Sequence, residues 1–246
     1  DGEPVAFVND TDNDGTIESG EEVYVYVGMR RGGNSYYALD VSNPNATPSL
    51  KWKITQGGDF SELGMTFSTP VVTKVRYEST ARDVLIFGGG FDTQNDTPVK
   101  LSENPSSALQ GAAIYIVDAR TGALIWKVTG GSGSNSQTHL YHSRMLHSIP
   151  SQVAALDSDQ NGITDRLYVG DLSGLVWRID LPEGNTASHR LTWQASVLAD
   201  LDDNSEADAR AEASLRKIVQ ELGVKNVEFQ LEPIAAALNY GVTVSN

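Results

Sequence analysis

Apolar residues along most of this chain come in short runs closed by Gly, Asn or Asp, the rhythm of strands and turns. Val23-Tyr24-Val25-Tyr26-Val27-Gly28 is rich in β-branched and aromatic residues, as is Leu167-Tyr168-Val169-Gly170. The run Val84-Leu85-Ile86-Phe87 is apolar at every position, the composition of a strand buried on both faces between neighbouring sheets.

Three blocks share one order, a strand ending in Gly, a turn or loop and a strand ending in Asp, and each block also holds a Trp. The first holds Gly28, Gly32-Gly33, Leu39-Asp40 and Trp52; the second Gly88, Val117-Asp118 and Trp126; the third Gly170, Gly174, Ile179-Asp180 and Trp177. Such self-similarity marks a repeat architecture, and recurrent Trp and Gly at matching places mark propeller blades. The prediction is an all-β, partial β-propeller over 1–181, with Trp52, Trp126 and Trp177 at corresponding positions. A β-sandwich is the alternative. An acidic connecting segment follows over 182–210. From Ala211 the pattern changes: Leu215, Ile218, Val219 and Leu222 form a helical stripe, Val227, Phe229 and Leu231 alternate, and Pro233 opens a second helix. The region 211–246 is therefore a short α/β tail.

Candidate chemistry sits in two acidic loops. Asp157, Asp159 and Asn161 stand at alternate positions, Gly162 allows a sharp turn, Ile163 can offer its carbonyl, and Asp165 closes the set. Ca²⁺ takes about six to eight oxygens, supplied by a loop at positions 1, 3, 5, 7 and 9 with Gly at 6. The glutamate usual at position 12 is replaced by Tyr168, so water or a distant oxygen must complete the shell. The second loop matches at every position: Asp10, Asp12, Asp14, Gly15, Thr16 through its carbonyl, Glu18 and Glu21. Its flanks are strand-like, which predicts a static site. Asp, Asn and Gly also build plain surface turns. Three carboxylates about 5 Å apart repel by roughly 3 kcal/mol per pair at an effective dielectric near 20, a cost that a simple turn need not carry. Asp200, Asp202, Asn204 and Asp208 lack the glycine and read as a solvated segment, and His139, His142 and His147 fit no zinc-ligand spacing.

Charge narrows the partners. Lys plus Arg is 18 against 32 Asp plus Glu, a net charge of -14, which argues against nucleic acid and against an anionic membrane surface. There is no cysteine, hence no disulfide or thiolate metal site. No apolar run reaches the ~18 residues of a membrane span. The chain starts at Asp1 without Met or signal peptide and reads as a fragment of something longer.

With these residues in view, Gly28-Met29-Arg30-Arg31-Gly32-Gly33-Asn34-Ser35-Tyr36-Tyr37-Ala38-Leu39-Asp40, Ser148-Ile149-Pro150-Ser151 and the Asp157–Asp165 loop running into Leu167-Tyr168-Val169-Gly170-Asp171 resemble the C-terminal propeller of the PilY/PilC proteins, type IV pilus tip adhesins and assembly factors. The resemblance runs from about 1 to 210. It implies a quinoprotein-like propeller without quinone chemistry, exported to the periplasm, outer membrane or cell surface and associated with the pilus. It implies Ca²⁺ at Asp157, Asp159, Asn161, Ile163 (backbone) and Asp165, with occupancy tied to the balance of pilus extension and retraction. Implied partners are pilus subunits or minor pilins and a host-surface receptor, without membrane insertion. The tail from Phe229 to Gly241 is similar to a piece of a DnaK-type, actin-like ATPase, but no phosphate loop or Mg²⁺-site Asp accompanies it. The competing classes are a quinoprotein dehydrogenase and a purely structural export module. Many such dehydrogenases stack their cofactor on a disulfide that this chain cannot form, so a non-enzymatic binding module is the reading adopted.

Overall fold

The computed structural model describes residues 2–12, 14–96 and 108–201. The 211–246 tail, with Asp202, Asn204 and Asp208, lies outside the described residues. Asp1–Val197 form one compact unit, and of a second unit, Leu198–Asn246, only the end of the last strand is described.

Three sheets follow one another along the chain. The first is a meander of β1 (Val5–Asn9), β2 (Glu22–Gly28), β3 (Ser35–Asp40) and β4 (Ser49–Thr55), each antiparallel to the next. The second repeats it with β5 (Val71–Tyr77), β6 (Thr80–Gly88), β7 (Ala113–Asp118) and β8 (Leu124–Gly130). A fifth strand, β9 (His139–His142), joins this sheet parallel to β8. The third sheet has the order β10 (Ala154–Leu156), β11 (Arg166–Gly170), β12 (Leu175–Asp180) and β13 (Gln194–Asp200). This is the all-β, propeller-like repeat that the sequence predicts.

Burial explains the apolar runs. Alternate residues of a strand point to opposite faces. In the middle sheet Leu85, Phe87, Tyr115 and Val117 pack with Tyr24, Tyr26, Tyr36 and Ala38 of the first. Their neighbours Val84, Ile86, Ile114 and Ile116 pack with Leu167, Val169 and Ile179 of the third. Each of these middle-sheet residues is at most 1% exposed. Full burial of such side chains stabilises by about 1.5–3 kcal/mol each, so both seams rest mainly on the middle sheet.

The repeat is structural as well as sequential. Leu39, Val117 and Ile179 all lie in the third strand of their sheets, one residue before its last. The Asp that follows caps the next turn in two sheets: Asp40 accepts the Ser42 amide and hydroxyl, and Asp118 accepts the Thr121 amide and hydroxyl. A register shift falls after Ala38 and after Ile116, and the residues paired with those two are Trp52 and Trp126. These two tryptophans correspond. Trp177 does not, because it lies in the third strand, and its Nε1 donates to Asp171 at 2.8 Å across the β11–β12 turn. Trp193, just before β13, stands nearer the expected place, 1% exposed and edge-on to Trp126 with centroids 5.6 Å apart.

Chain crossings fix the order of the sheets. Gly88 ends β6 where Ile149 passes into the third sheet, and a Cβ on Gly88 would lie 2.3 Å from the Ile149 carbonyl oxygen. Arg120 joins the first two sheets, pairing with Glu22 at 2.9 Å and Asp83 at 2.8 Å and lying 5.0 Å over the Phe7 ring.

Candidate metal centre

Both acidic loops occupy the same topological place, the connection between the first and second strands of a sheet. Asn9 pairs with Glu22 at the base of one, and Leu156 with Arg166 at the base of the other. The middle sheet has only a tight turn there, with Tyr77 paired to Thr80.

The loops fold alike from position 1 onward. The amide of the position-6 glycine donates to the position-1 carboxylate: Gly15 to Asp10 Oδ2 at 2.9 Å, and Gly162 to Asp157 Oδ2 at 2.6 Å. Each glycine has a positive φ, 82° and 86°, a backbone that other L-residues rarely adopt. Asp12 accepts the Asp14 amide and Asp14 accepts the Thr16 amide, while Asp159 accepts the Asn161 amide and Asn161 Oδ1 accepts the Ile163 amide.

The loops differ in what closes them. In the first, Glu21 at position 12 accepts the amide and hydroxyl of Thr11 at position 2, at 2.6 and 2.7 Å. It also accepts the Glu18 amide. These bonds, led by the Thr11 hydroxyl, hold Glu21 below the usual carboxylate range. In the second, Ser158 stands at position 2, and its amide and hydroxyl go to Asp165 Oδ2 at 3.2 and 2.5 Å. Asp165 thus takes the part that Glu21 plays in the longer loop. That resolves the absent position-12 glutamate: three residues earlier, a shorter side chain closes a tighter turn.

The converging carboxylates correspond as well. Asp10, Asp12 and Glu21 bring carboxylate oxygens within 4.8 Å of one another, as do Asp157, Asp159 and Asp165, and a further group joins Asp12, Asp14 and Glu18. Among the described residues every such converging group is acidic. The other oxygen of Asp165, Oδ1, is buried and has no hydrogen-bond partner. A buried carboxylate oxygen left without a donor is costly, and beside two further carboxylates it is one that a hard cation would satisfy. Desolvation raises the Asp157 carboxyl, but the Gly162 and Asn161 amides outweigh it and hold the group below its ordinary range.

The second loop is anchored from below. Ile163 is 6% exposed, Thr164 donates its amide to the Lys74 carbonyl at 2.8 Å, and its hydroxyl lies 2.6 Å from that of Thr73. Lys74 and Thr73 belong to β5, so the loop straddles the seam between the second and third sheets. Sequence reasoning missed Glu183, in the segment after β12. Its Oε1 accepts from Asn161 Nδ2 at 2.5 Å, and its Oε2 pairs with Arg76 at 2.6 Å.

The histidines of the zinc alternative face different neighbours. His139 Nε2 lies 2.8 Å from the Thr129 hydroxyl, His142 meets Trp177 edge-on with centroids 4.8 Å apart, and His147 is buried.

Comparison with known proteins adds a family. A model of the PilY1 beta-propeller domain matches residues 1–198. The type IV pilus biogenesis factor PilY1 of Pseudomonas aeruginosa strain UCBPP-PA14 is 32% identical over 155 residues, covering 63% of this chain and 11% of that protein. A PilY1 homolog of Xylella fastidiosa strain Temecula1 is 28% identical over 156 residues, covering 63% of this chain and 9% of its own length. The crystal structure of the Pseudomonas aeruginosa PilY1 C-terminal domain superposes with a TM-score of 0.54 at 23% identity, over 81% of this chain and 37% of that one, a likeness of fold. The chain spans about a tenth of the length of these curated relatives. The family match ends at residue 198, before the 211–246 tail, and lends no support to the DnaK-type likeness expected there.

Proposed function

This chain belongs to the PilY1 β-propeller family, and on that premise we propose that it is the calcium-binding propeller module of a type IV pilus biogenesis protein. Ca²⁺ is held by Asp157, Asp159, Asn161, the Ile163 carbonyl and Asp165. A second site lies at Asp10, Asp12, Asp14, the Thr16 carbonyl, Glu18 and Glu21. The observation that carries the reading is the buried, unpartnered Asp165 Oδ1 beside two further carboxylates. The ion's chemistry here is charge neutralisation, not catalysis, and the relatives are named as biogenesis factors.

The physical effect follows from the repulsion. Without metal, three carboxylates within 4.8 Å oppose closure of the loop; with it, they attract the ion and hold the β10–β11 hairpin shut. Binding to the folded state adds stability by mass action, about 2.7 kcal/mol at a hundredfold excess over the dissociation constant. The stiffened surface is where pilus subunits, minor pilins or a host-surface receptor engage, and its occupancy modulates pilus biogenesis, motility and attachment.

Calorimetric titration with Ca²⁺ and with Mg²⁺ tests this on the wild type, Asp157→Ala and Asp10→Ala, with far-UV circular dichroism to confirm folding. Wild type should take up Ca²⁺ in preference to Mg²⁺, which demands a tighter octahedral shell. Asp157→Ala should lose one site and Asp10→Ala the other, and the two losses should add. An unchanged titration in Asp157→Ala would reject the principal site.

A further inference from the structure

We infer that Glu183, outside the acidic loop, is a positioning residue for the calcium site: it sets the orientation of the Asn161 amide and ties the loop to β5 through Arg76. The inference rests on the calcium reading above and concerns a residue that no loop spacing contains.

Three contacts fix the Asn161 side chain. Nδ2 donates to Asp159 Oδ2 at 3.1 Å and to Glu183 Oε1 at 2.5 Å, while Oδ1 accepts the Ile163 amide at 2.9 Å. Ionised carboxylates only accept hydrogen bonds, and an amide offers two donors on nitrogen and an acceptor on oxygen. With carboxylates on one side and an N–H on the other, only one orientation satisfies every group. That orientation keeps Oδ1, the metal-ligating atom, toward the loop backbone and Ile163. Glu183 is held in place in turn, since its Oε2 accepts from Arg76 Nε at 2.7 Å and pairs with Arg76 Nη2 at 2.6 Å. The hydrogen bond from Asn161 is the largest influence keeping the Glu183 carboxyl ionised below its ordinary range, followed by Arg76. Arg76 lies in β5, which also carries Lys74 and Thr73 beneath Thr164. The loop therefore meets the second sheet twice, under Thr164 and over Asn161.

The arrangement also explains why position 5 carries an amide. An aspartate there would add a metal-ligating charge but would face both Glu183 and Asp159 with like charge at hydrogen-bond distance.

A double-mutant cycle in calorimetric Ca²⁺ titration tests it, with Glu183→Gln, Asn161→Asp and the two combined. Glu183→Gln frees the Asn161 amide to turn over and should weaken binding about tenfold. Asn161→Asp should also weaken binding despite its added charge. Together the two changes should recover part of the loss, because the pair then carries its amide donor on the outer residue and its carboxylate acceptor in the loop, while the contact with Asp159 stays repulsive. A role for Glu183 in general stability alone predicts losses that add. Additive losses, or wild-type affinity in Glu183→Gln, would overturn the inference while leaving the calcium site standing. Should Asn161→Asp fail to fold, wild-type affinity in Glu183→Gln would still overturn the inference. No Ca²⁺ uptake by the wild type would overturn both readings.

Discussion

At the scale of the residue, Asp165 carries opposing demands. Its Oδ2 accepts two bonds from Ser158, while its Oδ1 is buried and unpartnered in a cluster with Asp157 and Asp159. Asp165→Asn should therefore act with opposite signs on stability and binding. Without calcium it replaces a repelled oxygen with an NH₂ that can donate to the neighbouring carboxylates, raising stability by up to about 1 kcal/mol once solvent screening is allowed for. That is a rise of about 2–4 °C in the unfolding midpoint measured in chelator. With calcium the same change removes a charged ligand, and affinity should drop by at least tenfold. A lower midpoint in chelator would show that Asp165 serves the hairpin rather than an ion. Most of this loop is legible in the sequence because side-chain-to-backbone bonds within a tight turn depend on local spacing alone. The closing carboxylate is not, since the equivalence of Asp165 with Glu21 emerges only when Ser158 and Thr11 are seen to donate to them. Glu183 is invisible for a plainer reason: it reaches the loop from beyond β12, and no spacing links the two.

At the scale of the element, the strand periodicity is readable and the position of one tryptophan is not. Strands of the middle sheet declare themselves by being apolar on both faces, and their glycine and aspartate ends mark crossings and turns that any such sheet needs. Trp177 lies between Gly170 and Asp180, whereas Trp52 and Trp126 follow their Asp, and its indole is held at Asp171 by a hydrogen bond that chain order does not reveal. Trp193 follows Asp180 at nearly the distance that separates Trp52 from Asp40, but the connection contains the 3-10 turn of Ala187–Thr192, and the nearer Trp177 takes its place in the pattern. In the fold it packs in the same buried cluster as Trp126 and Leu181, with its Nε1 donating to the Pro182 carbonyl at 3.2 Å. Trp193→Ala should cost about 3–5 kcal/mol, the range for removing a fully buried large aromatic. Leu191→Ala, two residues away at a side chain 54% exposed, should change stability by less than about 0.5 kcal/mol. Urea unfolding of both variants separates the cases, and equal effects would mean that the third sheet is not anchored through Trp193.

At the scale of the molecule, the response to acid is set by which groups the fold keeps uncharged and which it keeps charged. Burial lowers the affinity of His139 and His142 for protons, with Lys127 adding to the effect at His139 and Arg144 at His142, while Glu62 opposes it at His139. A histidine held neutral in the fold binds its proton more readily when unfolded. Its contribution is therefore complete above the unfolded value near 6.5 and is lost as pH falls below it. Asp83 and Glu22 behave differently. At Asp83 desolvation opposes ionisation, but the bonds from Lys74 and Arg120 prevail; at Glu22 the Tyr24 hydroxyl leads, and Arg120 adds to it. Both are held below their ordinary range, so their contribution persists down to about pH 4 and disappears only as pH falls further. The net charge of -14 works against these losses, because protonation relieves self-repulsion. At about 0.15 M salt, however, charges more than about 8 Å apart are screened, and the local terms prevail. The unfolding midpoint in chelator should accordingly decline in two stages on acidification, one between about pH 6.5 and 5 and a steeper one below about 4. His139→Gln, which can still bond the Thr129 hydroxyl, should flatten the first stage and leave the second intact. A midpoint unchanged from about pH 7 to about 4.5 in the wild type would mean that the histidines take up protons in the fold as readily as out of it.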